Sequence, residues 1–549
     1  MAQPFLRIPP FPGTRARPLA AAGATPIDDS TALELAHLLR IERVGGSYWA
    51  ARPPLPRGRD LMLAPSSAEQ AAQMLQQARH RGLLERCFIY QGNCPQLNHE
   101  PSVPLVGGPA DPWHLAGSAQ EVWAGANDEI SLVAALSGTT VRTFGEGRSD
   151  GCGGGEEALT RRLAAELGGW SYRCPFSGAA IGPGEAARTL GEWRRLIDRN
   201  RSIRAVLGVA AWKRPTVDAL LWDGSHGPPH GRELPKVDDG TVVTWKSRTP
   251  AALLDQLQRS HVAVAEIEDG LIRGRGLGAN CIPPLSVVVD MSGIYFDPST
   301  VSDLEQILES AELDAALVQR AARLRQQIVD AGISKYTGPG TPGSFTSPTA
   351  KRTILVVGQV EDDRSILSGG AGQSNLELLE RARSLEPDAW LVYRPHPDVE
   401  AGHRKGYVPD EEVRRLADEI DRGSAIVALI DRVDELHCIT SLAGFEALLR
   451  DKPVTTHGVP FYAGWGLTKD LGPVPARRSR RRTVDELTAA ALILYPRYID
   501  PVTRLPCSPE ILVDRIAAGQ DGVAAPLAGV RVLQGKLRLA LRRLREMAA

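Results

Sequence analysis

The chain has 549 residues, of which 43% are hydrophobic and 23% are charged, and its formal net charge is −1. This near balance of charge excludes a partnership with nucleic acid that rests on overall charge. No apolar run approaches the roughly 20 residues that span a bilayer, and the N-terminus lacks the apolar core of a secretory signal. The seven cysteines are scattered and never form a CxxC pair, which fits a reducing cytoplasm. We expect a cytoplasmic, enzyme-sized protein.

Short apolar strands alternate with helical segments over most of the chain. Residues 1–30 are rich in proline and alanine and predict an irregular lead-in. The strands that follow are CFIY at 87, SIRAVLGV at 202, HVAVAEIE at 261, SVVVD at 286, TILVVGQ at 353, WLVYR at 390 and SAIVAL at 424. Short buried strands separated by long helices predict doubly wound parallel sheets. Loops are predicted at 224–236 and at 336–349, and the second is a candidate interdomain hinge.

A long-period repeat suggests that one Rossmann-like half occurs twice. The similar segments are 74–90 with 378–393, 134–145 with 447–458, and 172–178 with 498–504. In the first copy, Asn93 and Cys94 stand where the second has His396 and Pro397. The first copy is therefore predicted to keep the strands without the chemistry. Chance similarity between two Rossmann-like halves is the alternative.

The first motif that suggests chemistry is YRPHPDVEAGHRKG (393–406), at the end of a predicted strand. Ligands of parallel sheets bind beyond the carboxyl ends of the strands. His396 can donate there to a phosphate or a nucleotide, while the flanking prolines fix the backbone. A structural histidine in a tight loop is the alternative, and it is the commoner meaning of an isolated histidine.

A second motif, HCITSLAGFEALLRDKPVTTHG (437–458), predicts a strand end, a turn of small residues and a helix. Thr440, Ser441 and the free amides up to Gly444 predict an anion site at the helix N-terminus. Glu446 lies in the first turn, where a carboxylate can accept from ribose hydroxyls. An ordinary N-cap would explain Ser441 alone.

Two segments supply carboxylates for catalysis. GQVEDDRS (358–365) ends a strand and places Glu361, Asp362 and Asp363 at its end, where a carboxylate can act as a nucleophile or a base, although a solvated acidic turn is the commoner meaning of such a triplet. EIEDGLIRGRGLG (266–278) offers Glu268 and Asp269 as acid/base groups. Its arginines, Arg273 and Arg275, can bind acidic sugar or phosphate groups, and surface pairing of these charges is the alternative.

Other sites are disfavoured or left open by the sequence. The glycines of 274–278 do not match a dinucleotide fingerprint, so no NAD site is predicted. The histidines lack metal-ligand spacing, so no metal site is predicted either. In PFYAGWGLT (460–468), Tyr462 and Trp465 are candidates to stack on a base or sugar. The tail at 533–547 predicts a basic amphipathic helix that would lie on an anionic membrane surface or dock on the protein itself.

Taken together, these motifs resemble the KpsC/KpsS-type capsule polysaccharide β-Kdo transferases over roughly residues 200–505. The shared segments are EDGLIR, PPLSVVVD, GIYFDP, ISKY, GQVEDD, YRPHPDV, TSLAGFEALL, PFYAGWGLT and YPRYIDP. The resemblance implies an α/β, GT-B-like fold in which two Rossmann-like domains face a central cleft, with an additional degenerate Rossmann-like N-terminal domain. It also implies CMP-Kdo as the donor substrate, with no metal and no other cofactor.

The resemblance assigns roles to individual residues. Those implied to bind the CMP-sugar are Gln359, Arg394, His396, Pro397, Thr440, Ser441, Gly444 and Glu446. The substrate-contact candidates are Arg273, Arg275, Tyr462 and Trp465. The family retains anomeric configuration, which implies either a double displacement with Asp363 as the nucleophile or an equivalent front-face route. Glu268 or Asp269 would assist proton transfer.

The predicted organisation contains one active site. The predicted segments are the lead-in 1–30, a degenerate half-module 31–190, an acceptor-side domain 191–345, a CMP-sugar-binding domain 346–510 and a tail 511–549. The expected partners are CMP-Kdo, a lipid-linked or glycan acceptor, the inner face of the inner membrane and a capsule biosynthesis or export complex, without nucleic acid. The alternatives are a transferase of another CMP-activated acidic sugar and a non-catalytic scaffold of the capsule assembly machinery.

Overall fold

The computed structural model describes residues 3–92, 100–144, 151–152, 155–231, 233, 240–274, 281–335, 351–402 and 404–522. The chain divides into two units. The first unit comprises Met1–Ser202, Leu221–Pro228 and Thr503–Leu505, and the second comprises Ile203–Leu220, Pro229–Val502 and Pro506–Ala549. The predicted hinge at 336–349, the candidate Arg275 and the tail at 533–547 lie outside the described residues.

The first unit contains a Rossmann-like sheet and a small antiparallel sheet. Its strands are β1 (Ala20–Ala22), β2 (Leu61–Ala64), β3 (Cys87–Tyr90), β4 (Leu105–Val106), β5 (Glu121–Gly125), β6 (Thr140–Phe144), β7 (Gly151–Cys152), β8 (Trp170–Arg173) and β9 (Ala180–Ile181). Its helices are α1 (Asp29–Glu42), α2 (Ala68–His80), α3 (Pro112–Ala116), α4 (Glu129–Leu136), α5 (Glu156–Gly168) and α6 (Pro183–Asn200). The larger sheet has the order β4-β3-β2-β5-β6-β7 and is parallel except at β7, and β1-β8-β9 is antiparallel.

The lead-in is part of the core of the first unit. Apart from β1 and the start of α1 at Asp29, its described backbone is irregular, as its prolines predict. However, Phe5, Leu6, Phe11 and Leu19 are all buried in the main hydrophobic cluster of this unit. These side chains follow neither a helical nor a strand period, which is why the sequence pattern did not reveal their burial.

The second unit contains two sheets. Its strands are β10 (Ile203–Leu207), β11 (His230–Gly231), β12 (Thr241–Thr244), β13 (Ala263–Asp269), β14 (Ser286–Asp290), β15 (Thr353–Val357), β16 (Trp390–Arg394), β17 (Glu419–Ile420), β18 (Glu435–Cys438), β19 (Val454–Thr456), β20 (Lys469–Asp470), β21 (Pro496–Ile499) and β22 (Pro506–Cys507). Its helices are α7 (Arg214–Leu220), α8 (Ala251–Arg259), α9 (Asp303–Ser310), α10 (Ala315–Asp330), α11 (Arg364–Gly369), α12 (Asn375–Leu385), α13 (Pro397–Glu400), α14 (Asp410–Leu416), α15 (Ile426–Arg432), α16 (Leu442–Leu448), α17 (Val484–Thr488) and α18 (Pro509–Ala517).

These two sheets differ in strand direction. The sheet β17-β16-β15-β18-β19-β20 is parallel throughout. The sheet β11-β10-β12-β13-β14-β21-β22 is mixed, because β14, β21 and β22 each run antiparallel to the strand before them in that order. An all-parallel sheet was expected here. The described residues between β13 and β14 contain no crossover helix, so the chain turns back and pairs antiparallel.

The structure also corrects one predicted strand. SAIVAL at 424 was expected to form a strand, but Ile426–Arg432 is the helix α15, with Leu429 and Ile430 buried on one face. A short apolar run does not distinguish a strand from a buried helix by periodicity. The strand of this region is β18, which follows directly.

Two of the three pairs of similar segments fall on equivalent elements of the two units. The third pair, 172–178 with 498–504, falls on β8 and β21, which belong to sheets of different strand order. Segments 74–90 and 378–393 cover the end of one helix and the following strand, β3 or β16. Segments 134–145 and 447–458 likewise cover the end of α4 or α16 and then β6 or β19. The order β4-β3-β2-β5-β6 matches β17-β16-β15-β18-β19. The first unit therefore contains a second copy of the Rossmann-like half. Among the described helices of either unit, none combines the length and apolarity needed to cross a membrane.

A buried ion pair joins α6 to the rest of the first unit and is expected to stabilise the fold. Arg194 donates to Asp111 at 2.7 and 3.2 Å and to the Tyr48 carbonyl at 2.9 Å, and both charged side chains are almost completely buried. Without Arg194, the fully buried Asp111 carboxylate would keep only Arg52, at 2.9 Å, as a charged partner among the described residues. We expect Arg194→Met to lower the free energy of unfolding by about 3 kcal/mol, as measured by urea denaturation.

The neighbouring Arg195 provides the control. Its side chain is 55% exposed and pairs with Glu42 at the surface. Arg195→Met should change the free energy of unfolding by less than about 1 kcal/mol. Equal losses in the two variants would contradict a special role for the buried pair.

Candidate active site

Main-chain register in the parallel sheet of the second unit brings three predicted site segments together. Val357, the last residue of β15, lies beside Arg394 of β16 on one side and Cys438 of β18 on the other. Gln359, His396 and Thr440 each follow these positions by two residues. They therefore emerge at one edge of the sheet, where open parallel sheets bind ligands.

A cavity of about 530 Å³ lies at this edge. It is lined by Ser247, Glu268, Asp269, Tyr295, Phe296, Lys335, Gln359, Val360, Asp362, Asp363, Arg364, Ser365, His396, Asp398, Arg404, Thr440, Ser441, Leu442, Pro460 and Phe461. Both sheets of the second unit contribute, since Glu268 and Asp269 end β13 and the other predicted residues follow β15, β16 and β18. The volume is within the range of roughly 300–1,000 Å³ that is usual for small-molecule sites.

Gln359 and Thr440 form a reciprocal pair on the cavity wall. The Thr440 amide donates to Gln359 Oε1 at 2.8 Å, and Gln359 Nε2 donates to Thr440 Oγ1 at 3.2 Å. Gln359 is buried, and its backbone amide donates to the side-chain oxygen of Asn375. The pair fixes the ends of β15 and β18 relative to each other.

His396 and Ser441 are both N-caps of short helices. His396 precedes α13, and its Nδ1 accepts from the Asp398 amide at 3.1 Å. A neutral imidazole that accepts at Nδ1 carries its proton on Nε2. Burial lowers the pKa of His396, which favours this neutral form. Ser441 caps α16, where its hydroxyl accepts from the Ala443 amide at 3.2 Å.

Asp363 is held at the start of α11 with one oxygen engaged. Its Oδ1 accepts from the Ser365 amide at 3.0 Å and from the Ser365 hydroxyl at 2.9 Å. Its Oδ2 lies 3.9 Å from Arg404 Nη2. The side chain is 50% exposed, so this carboxylate is both oriented and accessible.

Glu268 and Asp269 are adjacent carboxylates in different surroundings. Burial raises the pKa of Glu268 to about 7, and the neighbouring Asp269 carboxylate adds to the effect. Burial also opposes ionisation of Asp269. There, however, the Lys213 ammonium at 2.9 Å and the Arg273 guanidinium at 3.0 Å outweigh burial and hold the pKa of Asp269 below its ordinary value. The pair thus separates into a titrating group and a permanently ionised group.

Several charged residues of the cavity were not among the predicted site residues. Arg364 donates to Glu268 at 3.0 Å and to Glu266 at 2.5 Å, and its guanidinium lies 4.9 Å from the centre of the Phe296 ring. Lys335 and Arg404 also line the cavity. All three lie within the sequence motifs described above. Their closeness in sequence to predicted site residues was therefore the signal that could have identified them.

Lys213 had no such signal in the sequence. It is 8% exposed, and its ammonium lies 3.3 Å from the centre of the Trp245 ring as well as beside Asp269. Only the fold brings Lys213, from the turn before α7, to the end of β13.

Other predicted residues lie outside the cavity wall. These are Arg273, Arg394, Pro397, Gly444, Glu446, Tyr462 and Trp465. Arg394 donates to the Asp421 and Ser424 carbonyls. The fully buried Tyr462 donates to the Ser441 carbonyl at 2.5 Å, and a Cβ on Gly444 would lie 2.2 Å from the Tyr462 hydroxyl. Tyr462 and Gly444 therefore pack behind the cap of α16, and their predicted ligand contacts remain predictions.

Glu446 lies behind the cavity as well. It accepts from the Lys335 amide at 2.8 Å, and burial raises the pKa of Glu446 to about 6. The side chain of Lys335 lines the cavity, so Glu446 is positioned to hold the backbone of a cavity residue.

One group within the described residues has the composition of a metal site. Glu386, Glu435 and His437 lie close together away from the cavity. Arg352 contacts Glu386 at 3.1 Å and also contacts Glu435, so one guanidinium partly offsets the charge of these two carboxylates. The group therefore contains ion pairs, and the expected absence of a metal site stays a prediction.

Comparison with known proteins identifies relatives of this chain. A family model described as capsule polysaccharide biosynthesis protein matches residues 240–498. The capsule polysaccharide modification protein LipA of Neisseria meningitidis serogroup B is 35% identical over 448 residues, which is 76% of this chain and 62% of LipA. The lipopolysaccharide-processing protein LpsZ of Rhizobium meliloti is 42% identical over 359 residues, which is 63% of this chain and 79% of LpsZ. This chain thus matches less than two thirds of LipA but most of LpsZ.

A solved structure is also similar. The β-Kdo 2,4 transferase of Thermosulfurimonas dismutans KpsC has a TM-score of 0.50 and 31% sequence identity, over 57% of this chain and 98% of that one. The similarity agrees with a GT-B-like fold in which two Rossmann-like domains face the cavity. Together with the LpsZ match, it shows that this chain belongs to the family of capsule polysaccharide biosynthesis proteins that contains KpsC.

Proposed function

We propose that this protein is a retaining glycosyltransferase that moves Kdo from CMP-Kdo to a lipid-linked or glycan acceptor in surface polysaccharide biosynthesis. The proposal rests on one observation: a single cavity is lined by Asp363, Glu268, His396 and Ser441, which lie at or just after the ends of four different strands. The similar KpsC structure is named as a β-Kdo transferase, which supports Kdo as the sugar. No metal or other cofactor takes part in the proposed reaction.

The donor would bind through its negative charges. His396 offers Nε2–H, and Thr440 and Ser441 offer hydroxyls at the cavity wall. Lys335 and Arg404 add positive charge, which suits a phosphate and the carboxylate of an acidic sugar. These groups would also stabilise the charge that develops on the CMP phosphate as it leaves.

The proposed chemistry has two displacements. In the first, Asp363 Oδ2 attacks the anomeric carbon of Kdo, the bond from that carbon to the phosphate oxygen breaks, and CMP departs with the electron pair. In the second, an acceptor hydroxyl attacks the same carbon and displaces the Asp363 carboxylate. Two inversions retain the configuration. The hydrogen bonds from Ser365 to Oδ1 support this role, because they fix the orientation of the carboxylate and leave Oδ2 as the oxygen that can attack.

Glu268 is the proposed base for the acceptor hydroxyl. A group with a pKa of about 7 is matched to proton transfer at neutral pH. Asp269 is unsuited to the role because Lys213 and Arg273 stabilise its ionised form and lower its basicity. The neighbouring carboxylates are therefore proposed to divide into a base and a fixed charge.

Substitution of Asp363 tests its proposed role as the nucleophile. Purified protein incubated with CMP-Kdo and a Kdo-terminated lipid acceptor should release CMP and add one Kdo to the acceptor. Asp363→Asn should lower this rate by at least about 10³-fold, because the amide does not displace CMP. Asp362→Asn is the matched control, since Arg404 engages the Asp362 carboxylate at 3.1 Å, and this variant should lose less than about tenfold.

A mass measurement without acceptor separates the two retaining routes. A peptide containing Asp363 that gains the mass of one Kdo would support the covalent intermediate. Loss of activity in Asp363→Asn without any such adduct in the wild-type protein would favour a front-face route. If a folded wild-type protein turns over CMP-sialic acid and not CMP-Kdo, the donor belongs to the alternative class of acidic sugars.

The proposed base, Glu268, should make activity depend on pH. A base must be deprotonated, so kcat/KM should fall as pH decreases through about 7. Lys213 favours the ionised form of Glu268, so Lys213→Met should raise the pKa of Glu268 and move this limb to higher pH. Lys213→Arg retains the charge and should leave the limb in place. If the acidic limb of the kcat/KM profile persists in Glu268→Gln, or keeps its position in Lys213→Met, Glu268 is not the base.

A further inference from the structure

The first unit contains a cavity of its own, of about 370 Å³. Its wall includes Pro65 and Ser66, which follow β2, and Asp128 and Glu129, which follow β5. The chain extends the sheet from β2 through β3 in one direction and from β5 through β6 in the other. The cavity therefore lies where strand order reverses, which is the ligand-binding crevice of an open parallel sheet.

Two carboxylates on this wall are held in place by neighbouring groups. Asp128 Oδ2 accepts from Ser66 Oγ at 2.6 Å and from the Gly125 amide at 2.8 Å. Glu129 accepts from Arg7 at 2.7 and 3.2 Å. A Cβ on Gly125 would lie 2.5 Å from Asp128 Oδ2, so the absence of a side chain there leaves room for this carboxylate. The wall is therefore preorganised.

The charge of the wall does not suit a phosphate. In the second unit the helix at the equivalent position, α16, starts with Ser441 as its N-cap. In the first unit α4 starts with Asp128 as its N-cap and Glu129 in its first turn, and the Asp128 side chain does not cap the helix. The described cavity wall carries two carboxylates and the guanidinium of Arg7. Arg162, which donates to the Asp128 carbonyl at 2.8 Å, lies off this wall and interacts with Glu166, so the charge at this helix start disfavours an anion. Arg7, in turn, already neutralises Glu129.

The remaining hydrogen-bonding capacity includes both donors and acceptors. Among the described residues, no group donates to Asp128 Oδ1, which leaves it as an acceptor. The Tyr90 hydroxyl accepts weakly from the Ala110 amide at 3.4 Å, and the Ser47 hydroxyl accepts from Arg7 at 2.8 Å. Both hydroxyls keep a proton to donate. A ligand that fits this wall must itself donate and accept, as vicinal hydroxyl groups do.

We propose that this cavity binds a neutral, hydroxyl-rich sugar unit, and that it does not bind a nucleotide. Asp128 accepts from the sugar hydroxyls, Tyr90 and Ser47 donate to them, and the half-buried Tyr90 ring offers an apolar edge for the sugar face. The volume is near the lower end of the range for small-molecule sites, which suits one or two sugar units. The first unit is thus a carbohydrate-binding module, and this role stands without reference to the transfer reaction.

Binding is tested on the intact protein without any sugar donor. Saturation-transfer NMR is recorded with glucose, galactose, mannose and N-acetylglucosamine, each with and without excess CMP. We expect at least one of these sugars to bind with a dissociation constant that CMP leaves unchanged. Asp128→Asn should raise that constant roughly tenfold, because a hydrogen bond to a charged acceptor becomes one to a neutral acceptor.

A second variant tests the proposal in case Asp128→Asn loses binding only because it misfolds. Ser66 is exposed at the cavity mouth, so Ser66→Trp should fill the cavity and abolish the sugar signal while the thermal unfolding midpoint is kept. Ser30→Trp, at another exposed serine of the same unit, is the control and should bind as the wild type does. Absence of binding by all four sugars, binding that survives Ser66→Trp, or CMP or inorganic phosphate binding that Ser66→Trp removes would each overturn the proposal.

Discussion

The candidate active site depends on the in-register pairing of β15 with β16 and with β18. Main-chain hydrogen bonds place Val357 beside Arg394 and Cys438. Residues that are distant in sequence consequently follow the strand ends at the same edge of the sheet. Each strand therefore supplies its polar side chain at that edge. A shift of one residue in either ladder would turn every side chain of the shifted strand to the opposite face. Parallel pairing is therefore the constraint that makes a single cavity from three separate motifs.

The electrostatics of this cavity come from unequal pairing of similar groups. Glu268 and Asp269 are consecutive residues of β13, yet only Asp269 has a buried ammonium and a guanidinium beside it. Glu268 shares Arg364 with Glu266 and lies next to the Asp269 charge. The protein thus obtains two carboxylates of different basicity without separating them along the chain. The first unit uses charge differently, because carboxylates there stand where the second unit has the hydroxyl of Ser441.

The sequence predicted the parts of the site that depend on local pattern. Strand ends followed by proline, small residues or acids marked His396, Ser441 and the acidic triplet 361–363, because strand and turn signals lie within a few residues. The family resemblance then selected Asp363 from that triplet. The sequence did not distinguish the predicted residues that line the cavity from those that pack behind it. Tyr462 and Gly444 occur in motifs but pack against each other behind α16, and only the fold shows this. Lys213 was missed because its partner Asp269 is far along the chain and no local pattern marks the pair.

The same limit explains the differences in the fold. The apolar run at 424 satisfies both strand and helix patterns, and tertiary packing made it α15. The lead-in has no period at all, although its aromatic and aliphatic side chains enter the core of the first unit. Composition and periodicity describe the elements well, whereas burial of an irregular segment is decided by the surface that receives it.

The reciprocal pair of Gln359 and Thr440 has a consequence for the polarity of the cavity. The Thr440 amide can only donate, so the Gln359 oxygen must face it and the amide nitrogen must face the Thr440 hydroxyl. A hydroxyl that accepts from this nitrogen directs its own proton elsewhere. Among the described residues, the Ser365 carbonyl accepts this proton at a long 3.5 Å, and an incoming oxygen atom can readily replace it. The orientation of one buried amide therefore makes Thr440 a hydrogen donor to whatever enters the cavity.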